Sequence, residues 1–141
     1  MKMTFRHYGN DDPIKLKYIK QIPGVTGVMC MMNEFEAGEI WDKETFQKYV
    51  NEVHAAGLEC EIIESINVHE DIKMGLPTRD KYIENYKQSL RNVAECGVKT
   101  VIYNFMPVFD WVKTELKHGL PDGSNTLAFD QKMVEGLTPR D

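Results

Sequence analysis

Several polar side chains of this sequence lie at the ends of apolar runs, where a strand would finish. Arg6 and Tyr8 close the first run, Glu64 lies in the third, and Asn104 lies in the fourth. A guanidinium offers a planar fork to a carboxylate, while amide and phenol groups suit hydroxyl groups. We therefore interpret these four residues as candidates for binding a small polar ligand. The alternative for Arg6, with equal weight, is a structural ion pair within the fold.

Glu64 interrupts the apolar run Ile62-Ile63-Glu64-Ser65-Ile66. Burying an unpaired carboxylate is costly, so this side chain must emerge at the strand end or find a partner. The first outcome makes Glu64 a ligand-facing residue. The second makes it half of a buried pair with a neighbouring Arg or Lys, with a shifted pKa and no part in any chemistry.

The run His69-Glu70-Asp71 gathers an imidazole and two carboxylates, which suggests a metal site. Adjacent side chains do not readily converge on one ion, however, and the H-E-x-x-H pattern is absent. We predict instead a loop histidine, His69, that orients a ligand, with solvated loop charge as the alternative. Asp110, after the fourth run, is a further candidate on the same side.

Glycine and proline divide the chain into short β-like runs and longer helical patterns, in the order β-α-β-α-β-α-β. Asp42 and Thr78 are placed to cap the second and third helices. The predicted strands are Met3 to Tyr8, Val25 to Met31, Cys60 to Ile66, and Lys99 to Phe105. This alternation is typical of an α/β fold with a parallel sheet.

Two of these units repeat at an offset of forty residues, because aligning Gly57 with Gly97 also aligns Ile62 with Ile102. The same alignment places Glu64 on Asn104, near the carboxyl ends of neighbouring strands. Parallel sheets and barrels bind ligands at that end. Tyr103 and Phe105 alternate to the opposite face, where we expect core packing.

The chain divides into residues 1–106, which hold the βα units, and residues 107–141, which we predict to be a long strand-end loop. The second part contains the turn cluster Pro121-Asp122-Gly123-Ser124-Asn125 and shows neither strand alternation nor a useful helical stripe. Long loops on the strand-end face of α/β folds usually have a function.

Composition excludes several classes of protein. Seventeen basic against twenty-two acidic residues give a net charge of -5, so the basic surface of a nucleic-acid binder is missing. The longest apolar stretches are too short to span a bilayer, and the N-terminus has no apolar signal core, so we expect a cytosolic protein without a membrane partner. Cys30, Cys60 and Cys96 lack paired spacing and are predicted to be buried free thiols.

Motifs along nearly the whole chain resemble the mannonate dehydratase family. The likeness rests on the following segments: Phe5-Arg6-His7-Tyr8-Gly9, Ile22-Pro23-Gly24-Val25-Thr26-Gly27, Ile63-Glu64-Ser65, Val68-His69-Glu70-Asp71-Ile72-Lys73, Ile83-Glu84-Asn85-Tyr86-Lys87, Tyr103-Asn104-Phe105-Met106-Pro107-Val108-Phe109-Asp110-Trp111, Leu120-Pro121-Asp122-Gly123-Ser124 and Leu127-Ala128-Phe129. The chain departs from the family pattern at His7, where Trp is usual, and from Met29 to Phe35.

The resemblance implies the N-terminal half of a TIM (β/α)8 barrel of the xylose-isomerase-like kind. It also implies dehydration of D-mannonate to 2-keto-3-deoxy-D-gluconate in hexuronate catabolism, with Mn2+ or Fe2+, in a homo-oligomer. The family's metal ligands and acid/base residues have no counterpart in this chain, so no catalytic or metal-ligating residue is assigned. The resemblance implies that this chain contributes substrate-facing residues, namely Arg6, Tyr8, Glu64, His69, Asn104 and Asp110.

A closed barrel of this type needs roughly 250 residues, so we expect a fragment that lacks dehydratase activity by itself. Two alternatives stay open. One is a related metal-dependent sugar isomerase or epimerase. The other is a non-catalytic half-barrel that self-associates through its sheet edges.

Overall fold

The computed structural model describes residues 1–106 and 113–137, and the chain forms two compact units, Met1–Phe105 and Met106–Asp141. The first unit contains β1 (Met3–His7), α1 (Leu16–Ile19), β2 (Val25–Cys30), α2 (Lys43–Ala55), β3 (Glu59–Glu64), α3 (Glu70–Lys73), α4 (Arg79–Glu95) and β4 (Val101–Ile102). The second contains β5 (Glu115–Gly119), β6 (Asn125–Ala128) and a 3-10 turn, Gln131–Met133.

The first unit is built on a parallel four-stranded sheet in the order β1-β2-β3-β4. Each strand pairs with the one that precedes it in the chain, and helices make the crossovers, as parallel connections require. The predicted α/β class and parallel sheet are therefore confirmed.

Helix α2 forms because its apolar positions follow a helical spacing and its first turn is capped. Phe46, Tyr49, Val50 and Val53 are all buried against the sheet. The Asp42 carboxylate accepts a hydrogen bond of 2.9 Å from the Thr45 amide, as predicted, and such bonds hold the pKa of Asp42 below its usual range. Full burial of such apolar side chains stabilises the fold by about 1.5–3 kcal/mol each.

The fourth strand is much shorter than predicted. It comprises only Val101 and Ile102, where the sequence indicated Lys99 to Phe105. Tyr103 and Phe105 are 64% and 51% exposed, so their expected place in the core was wrong. Strand hydrogen bonds need a partner, and β3 pairs only two residues of this run. The other predicted strands agree within two residues at each end.

Two helical details also differ from expectation. A one-turn helix, α3, stands between β3 and α4, where a loop was predicted. Thr78 occupies the N-cap of α4, but its side chain does not cap that helix. Its hydroxyl donates to the carboxylate of Asp71 instead. The threonine therefore ties α4 to α3.

The prediction that residues 107–141 lack strands was wrong for residues 115–128. Strands β5 and β6 pair antiparallel around the turn cluster at residues 121–125, where the Leu120 amide donates to the Ser124 carbonyl at 2.8 Å. Nearly every residue of this hairpin is exposed. Because neither face is buried, the sequence has no apolar alternation to reveal the strands.

Within the ranges 1–106 and 113–137, no helix is both long enough and apolar enough to cross a membrane.

His7 and Tyr49 form a buried polar pair between β1 and α2. The tyrosine hydroxyl and His7 Nδ1 share a hydrogen bond of 2.6 Å, and the two rings stack. His7 is 3% exposed, and this burial lowers the pKa of its imidazole, while the Asp12 carboxylate opposes the shift. His7 therefore belongs to the helix-facing side of β1.

We predict that this histidine makes the fold acid-sensitive. The unfolded chain binds a proton at His7 near pH 6.5, above the pKa in the folded state. The unfolding free energy therefore falls as the pH drops through that value. His7→Gln removes the titration and should flatten urea-unfolding free energies between about pH 7.5 and 5.5, relative to the parent chain.

Asn51→Gln is the matched control, because Asn51 is an exposed residue on the same helix as Tyr49 and neither asparagine nor glutamine titrates. It should leave the slope of unfolding free energy against pH unchanged. Equal slopes for the parent chain and His7→Gln would contradict the prediction.

Candidate ligand site at the strand ends

The sheet brings the ends of β1, β3 and β4 to one edge, and with them the predicted polar side chains. In β1, Phe5 packs against the core and His7 is buried on the helix-facing side. Side chains alternate along a strand, so Arg6 lies on the opposite face. There it approaches Glu64, at the end of β3, with β2 between the two strands.

Arg6 is held loosely. Its Nη1 lies 4.0 Å from Glu64 Oε1, beyond hydrogen-bond distance, and its guanidinium carbon lies 4.6 Å above the Tyr8 ring. Its Nε is buried without a hydrogen-bond partner among the described residues, although the side chain is 39% exposed. A partly exposed guanidinium with one unpaired N–H group is suited to a carboxylate ligand.

Asn104 joins this edge through a residue that the sequence analysis missed. Its side-chain amide donates a hydrogen bond of 3.1 Å to the Ser65 hydroxyl, which in turn donates to Asn67 Oδ1 at 2.9 Å. Ser65 is 5% exposed and directly follows Glu64 through a cis peptide bond. A serine next to a strand-end glutamate was the available signal. The network fixes Asn104 beside the end of β3.

The forty-residue repeat predicts that Glu64 and Asn104 occupy equivalent positions on neighbouring strands. It does not predict which residues of the two strands lie opposite each other. In the sheet Glu64 lies opposite Ile102, so Asn104 stands two residues further along. This stagger explains why Asn104 reaches Ser65, the residue after Glu64, and not Glu64 itself.

His69 is held by α3 and α4. Its Nδ1 accepts a hydrogen bond of 3.1 Å from the Asp71 amide, capping α3, and its ring stacks on Tyr82 with 3.6 Å between centroids. Because Nδ1 faces the Asp71 amide, Nε2 is the ring nitrogen that is left to contact a ligand. The Asp71 carboxylate lies 3.6 Å from Nδ1.

Gly38 packs against this stack. A Cβ at Gly38 would lie 2.6 Å from the Tyr82 ring and 2.7 Å from the His69 ring, and φ is +88°. Only glycine fits such a close approach with that backbone conformation. The Asn85 side chain also holds the Gly38 carbonyl, at 2.8 Å. The orientation of His69 is consequently set by three segments of the chain.

The described contacts thus form two groups. One group joins Arg6 with Tyr8 and Glu64, and Asn104 with Ser65. The other holds His69 through its contacts with α3 and α4. Asp110 lies outside the described residues.

Residues 1–106 and 113–137 contain no group of three or more His, Cys, Asp or Glu side chains that could hold a metal ion. The three cysteines are free and buried, as predicted. In the part of the chain that the structure describes, the donors present do not fit a Mn2+ or Fe2+ site.

A family model described as D-mannonate dehydratase (UxuA) matches residues 1–141. The chain belongs to the D-mannonate dehydratase family. Mannonate dehydratases of Thermotoga petrophila and Lachnoclostridium phytofermentans are each 55% identical to it. Each match covers 99% of this chain and 39% of the relative. The crystal structure of mannonate dehydratase from Streptococcus suis serotype 2 covers the whole chain, with TM-score 0.94 and 50% identity.

This family member spans about two fifths of the length of those relatives, since the Streptococcus suis match covers 40% of that chain. At this identity the likeness extends to sequence as well as fold. The sheet and the strand-end residues of this chain therefore correspond to the N-terminal part of those proteins.

Proposed function

We propose that this chain forms the first four strands of a (β/α)8 barrel that dehydrates D-mannonate to 2-keto-3-deoxy-D-gluconate in hexuronate catabolism. Its role is to supply substrate-facing residues at the strand ends. The observation that carries the proposal is the incompletely satisfied guanidinium of Arg6, placed at the carboxyl ends of parallel strands in a mannonate dehydratase family member.

D-Mannonate carries one carboxylate and several hydroxyl groups, and the site offers chemistry for both. Arg6 would bind the carboxylate, and Asn104 and Tyr8 would hydrogen-bond hydroxyl groups. Glu64 sits 4.0 Å from Arg6 and would accept from a hydroxyl, since an ionised carboxylate is an acceptor. Asp110 and the Nε2–H of His69 would contact other parts of the sugar acid.

The reaction is a β-elimination: a base takes the proton α to the carboxylate, the C–O bond of the β-hydroxyl breaks, and an acid donates the proton with which that hydroxyl leaves as water. The resulting enol then tautomerises to the 2-keto acid. A base and an acid must be placed on the substrate for the elimination. We assign neither role to a described residue. We also assign no step to a metal, because the described residues contain no set of ligands that could hold one. The contribution of this chain is to bind and orient the substrate.

Two exposed features of the first unit support the proposal that it packs against further βα units of a barrel. A groove of about 360 Å³ runs beside α4 and β4. It is lined by Val68, Ile72, Ile83, Tyr86, Lys87, Leu90, Val101, Tyr103 and Phe105. β4 pairs only with β3 in the described sheet, so one side of it is open. In a closed barrel the next βα unit would cover both features.

The test is a chimera in which residues 1–141 replace the matching 40% of the Streptococcus suis protein. With Mn2+, we expect the chimera to convert D-mannonate, and both the isolated chain and the remainder of the Streptococcus suis protein to be inactive. The product is measured as the 2-keto acid. Turnover by the isolated chain would overturn the need for further units, and a folded but inactive chimera would overturn the substrate.

The two departures from the family pattern bear on substrate specificity, and therefore on the alternative of a related sugar isomerase or epimerase. His7 is buried on the helix-facing side of β1, so it does not face the proposed substrate. In the second departure, Met32 is buried and Phe35 stacks on Trp41 at 5.3 Å, as part of the core. Met29, however, lies in register with Arg6, and the Asn33 side chain donates to the Tyr8 carbonyl at 3.1 Å, so this segment also reaches the proposed site and keeps the alternative substrate open. Offering other uronates and ketoses to the chimera tests the preference.

A self-associating half-barrel is the remaining alternative, and the open side of β4 keeps it in view. Sedimentation of the purified 141-residue chain distinguishes a self-associated half-barrel from a monomer. A discrete dimer without turnover would favour a structural role for the isolated chain.

A further inference from the structure

Two cysteine side chains meet inside the sheet of the first unit. Cys30 ends β2 and Cys60 lies in β3, the neighbouring strand, and their Sγ atoms are 2.6 Å apart. The thiols are 0% and 9% exposed and belong to the same core cluster. Neither residue has a part in the proposed substrate site.

We propose that Cys30 and Cys60 are a modification site, at which a small peroxide converts the two thiols into a disulfide that crosses from β2 to β3. A disulfide needs sulfurs about 2.05 Å apart. The two Sγ atoms need to approach by only about half an ångström to reach that distance. The two side chains meet diagonally across the strand pair, because Cys60 lies opposite Val28 and Cys30 lies opposite Ile63.

The reaction balances with one molecule of hydrogen peroxide. A thiolate attacks one peroxide oxygen, the O–O bond breaks, and a sulfenic acid and water result. The second thiol then attacks the sulfenic sulfur, the S–S bond forms, the S–O bond breaks, and a second water leaves. The two sulfurs together lose two electrons, which the peroxide gains.

The contact favours the second step, because the resolving thiol already lies against the sulfur that it must attack. The first step is slow, since the hydrogen bond with Cys30 and burial raise the pKa of the Cys60 thiol and keep it protonated. We expect the rate of oxidation to rise with pH and with local opening, and the sulfenic acid to be trapped internally before a second oxidation.

Cys96 provides an internal comparison. It is also 9% exposed, but its Sγ lies 3.9 Å from the Lys43 carbonyl and is directed to that backbone oxygen. Similar burial without a facing thiol predicts that Cys96 stays a thiol, or oxidises without forming a bond to another cysteine.

The bond would close a loop that contains α2, between two strands that are already paired. Cross-linking restricts the unfolded chain, so the oxidised protein should have a Tm higher by about 5 °C or more. The same treatment of Cys30→Ser should give no such increase.

The experiment treats the full 141-residue chain with hydrogen peroxide, then denatures it, alkylates the remaining thiols and measures intact mass and peptides. We expect two of the three cysteines to escape alkylation, a mass decrease of about 2 Da, and one linked peptide pair containing Cys30 and Cys60. Cys96→Ser should behave like the parent chain, whereas Cys30→Ser and Cys60→Ser should form no link.

Three alkylated cysteines after conditions that fully oxidise glutathione would overturn the proposal. So would a link that includes Cys96, or one between two molecules on a non-reducing gel. Because the peptide map of the unmutated chain decides the matter, the proposal is tested even if a serine variant fails to fold.

Discussion

Gly27→Ala is expected to destabilise the first unit by about 3 kcal/mol, at the upper end of the cost of overpacking a core. A Cβ at Gly27 would lie 2.6 Å from the backbone carbonyl oxygen of Glu59 and 2.7 Å from Glu61 Cγ. The Glu61 side chain can move, but the Glu59 carbonyl belongs to β3. Relief of that contact therefore has to come from separating β2 and β3 at the point where Gly27 lies opposite Glu59.

Urea unfolding followed by far-UV circular dichroism measures this loss. The matched control is Gly119→Ala, because Gly119 is also a strand glycine, but an added Cβ would meet nothing within 4 Å. The control should change the unfolding free energy by less than about 0.5 kcal/mol. Similar losses for both variants would show that the close approach of β2 and β3 is not the cause.

Arg6→Gln in the chimera should lower kcat/KM for D-mannonate by roughly 30- to 150-fold, since a hydrogen bond to a charged group contributes about 2–3 kcal/mol. The glutamine keeps an NH2 donor group but loses the charge and the guanidinium fork. Arg6→Lys keeps the charge alone and should recover only part of the loss. Initial rates over a range of D-mannonate concentrations give kcat and KM separately.

Lys2→Gln is the control for this loss of charge. Lys2 forms an exposed 2.6 Å pair with Glu61, and such surface pairs contribute little. Its kcat/KM should match that of the unmutated chimera. If Arg6→Gln retained full activity while its unfolding free energy fell, Arg6 would be a structural partner of Glu64, and its proposed role as a ligand for the substrate would be wrong.

The sequence was sufficient to predict the elements that bury one face and expose the other. Helix α2 was predicted from its stripe of buried residues and from Asp42, because both signals are local. The β5–β6 hairpin was missed because its strands have no buried face. The fourth strand was predicted too long, since an apolar run does not tell how many of its residues find a hydrogen-bonding neighbour.

The site was predictable in residue type but not in its contacts. Repetition placed Glu64 and Asn104 at one sheet edge, yet the two-residue stagger that directs Asn104 to Ser65 depends on strand register. Likewise, a histidine before Glu70 and Asp71 indicated a loop ligand. Its role as a helix cap stacked on Tyr82 requires residues that lie far apart in sequence to meet.

The matching of strand order with chain order has a consequence for synthesis on the ribosome. Each new strand of the first unit finds its neighbour already present at the edge of the growing sheet. Pairing can therefore advance one βα unit at a time as the nascent chain emerges, without waiting for a distant segment. The last strand of that progression, β4, is only two residues long, so the edge to which a later strand would add offers little backbone to unwanted pairing.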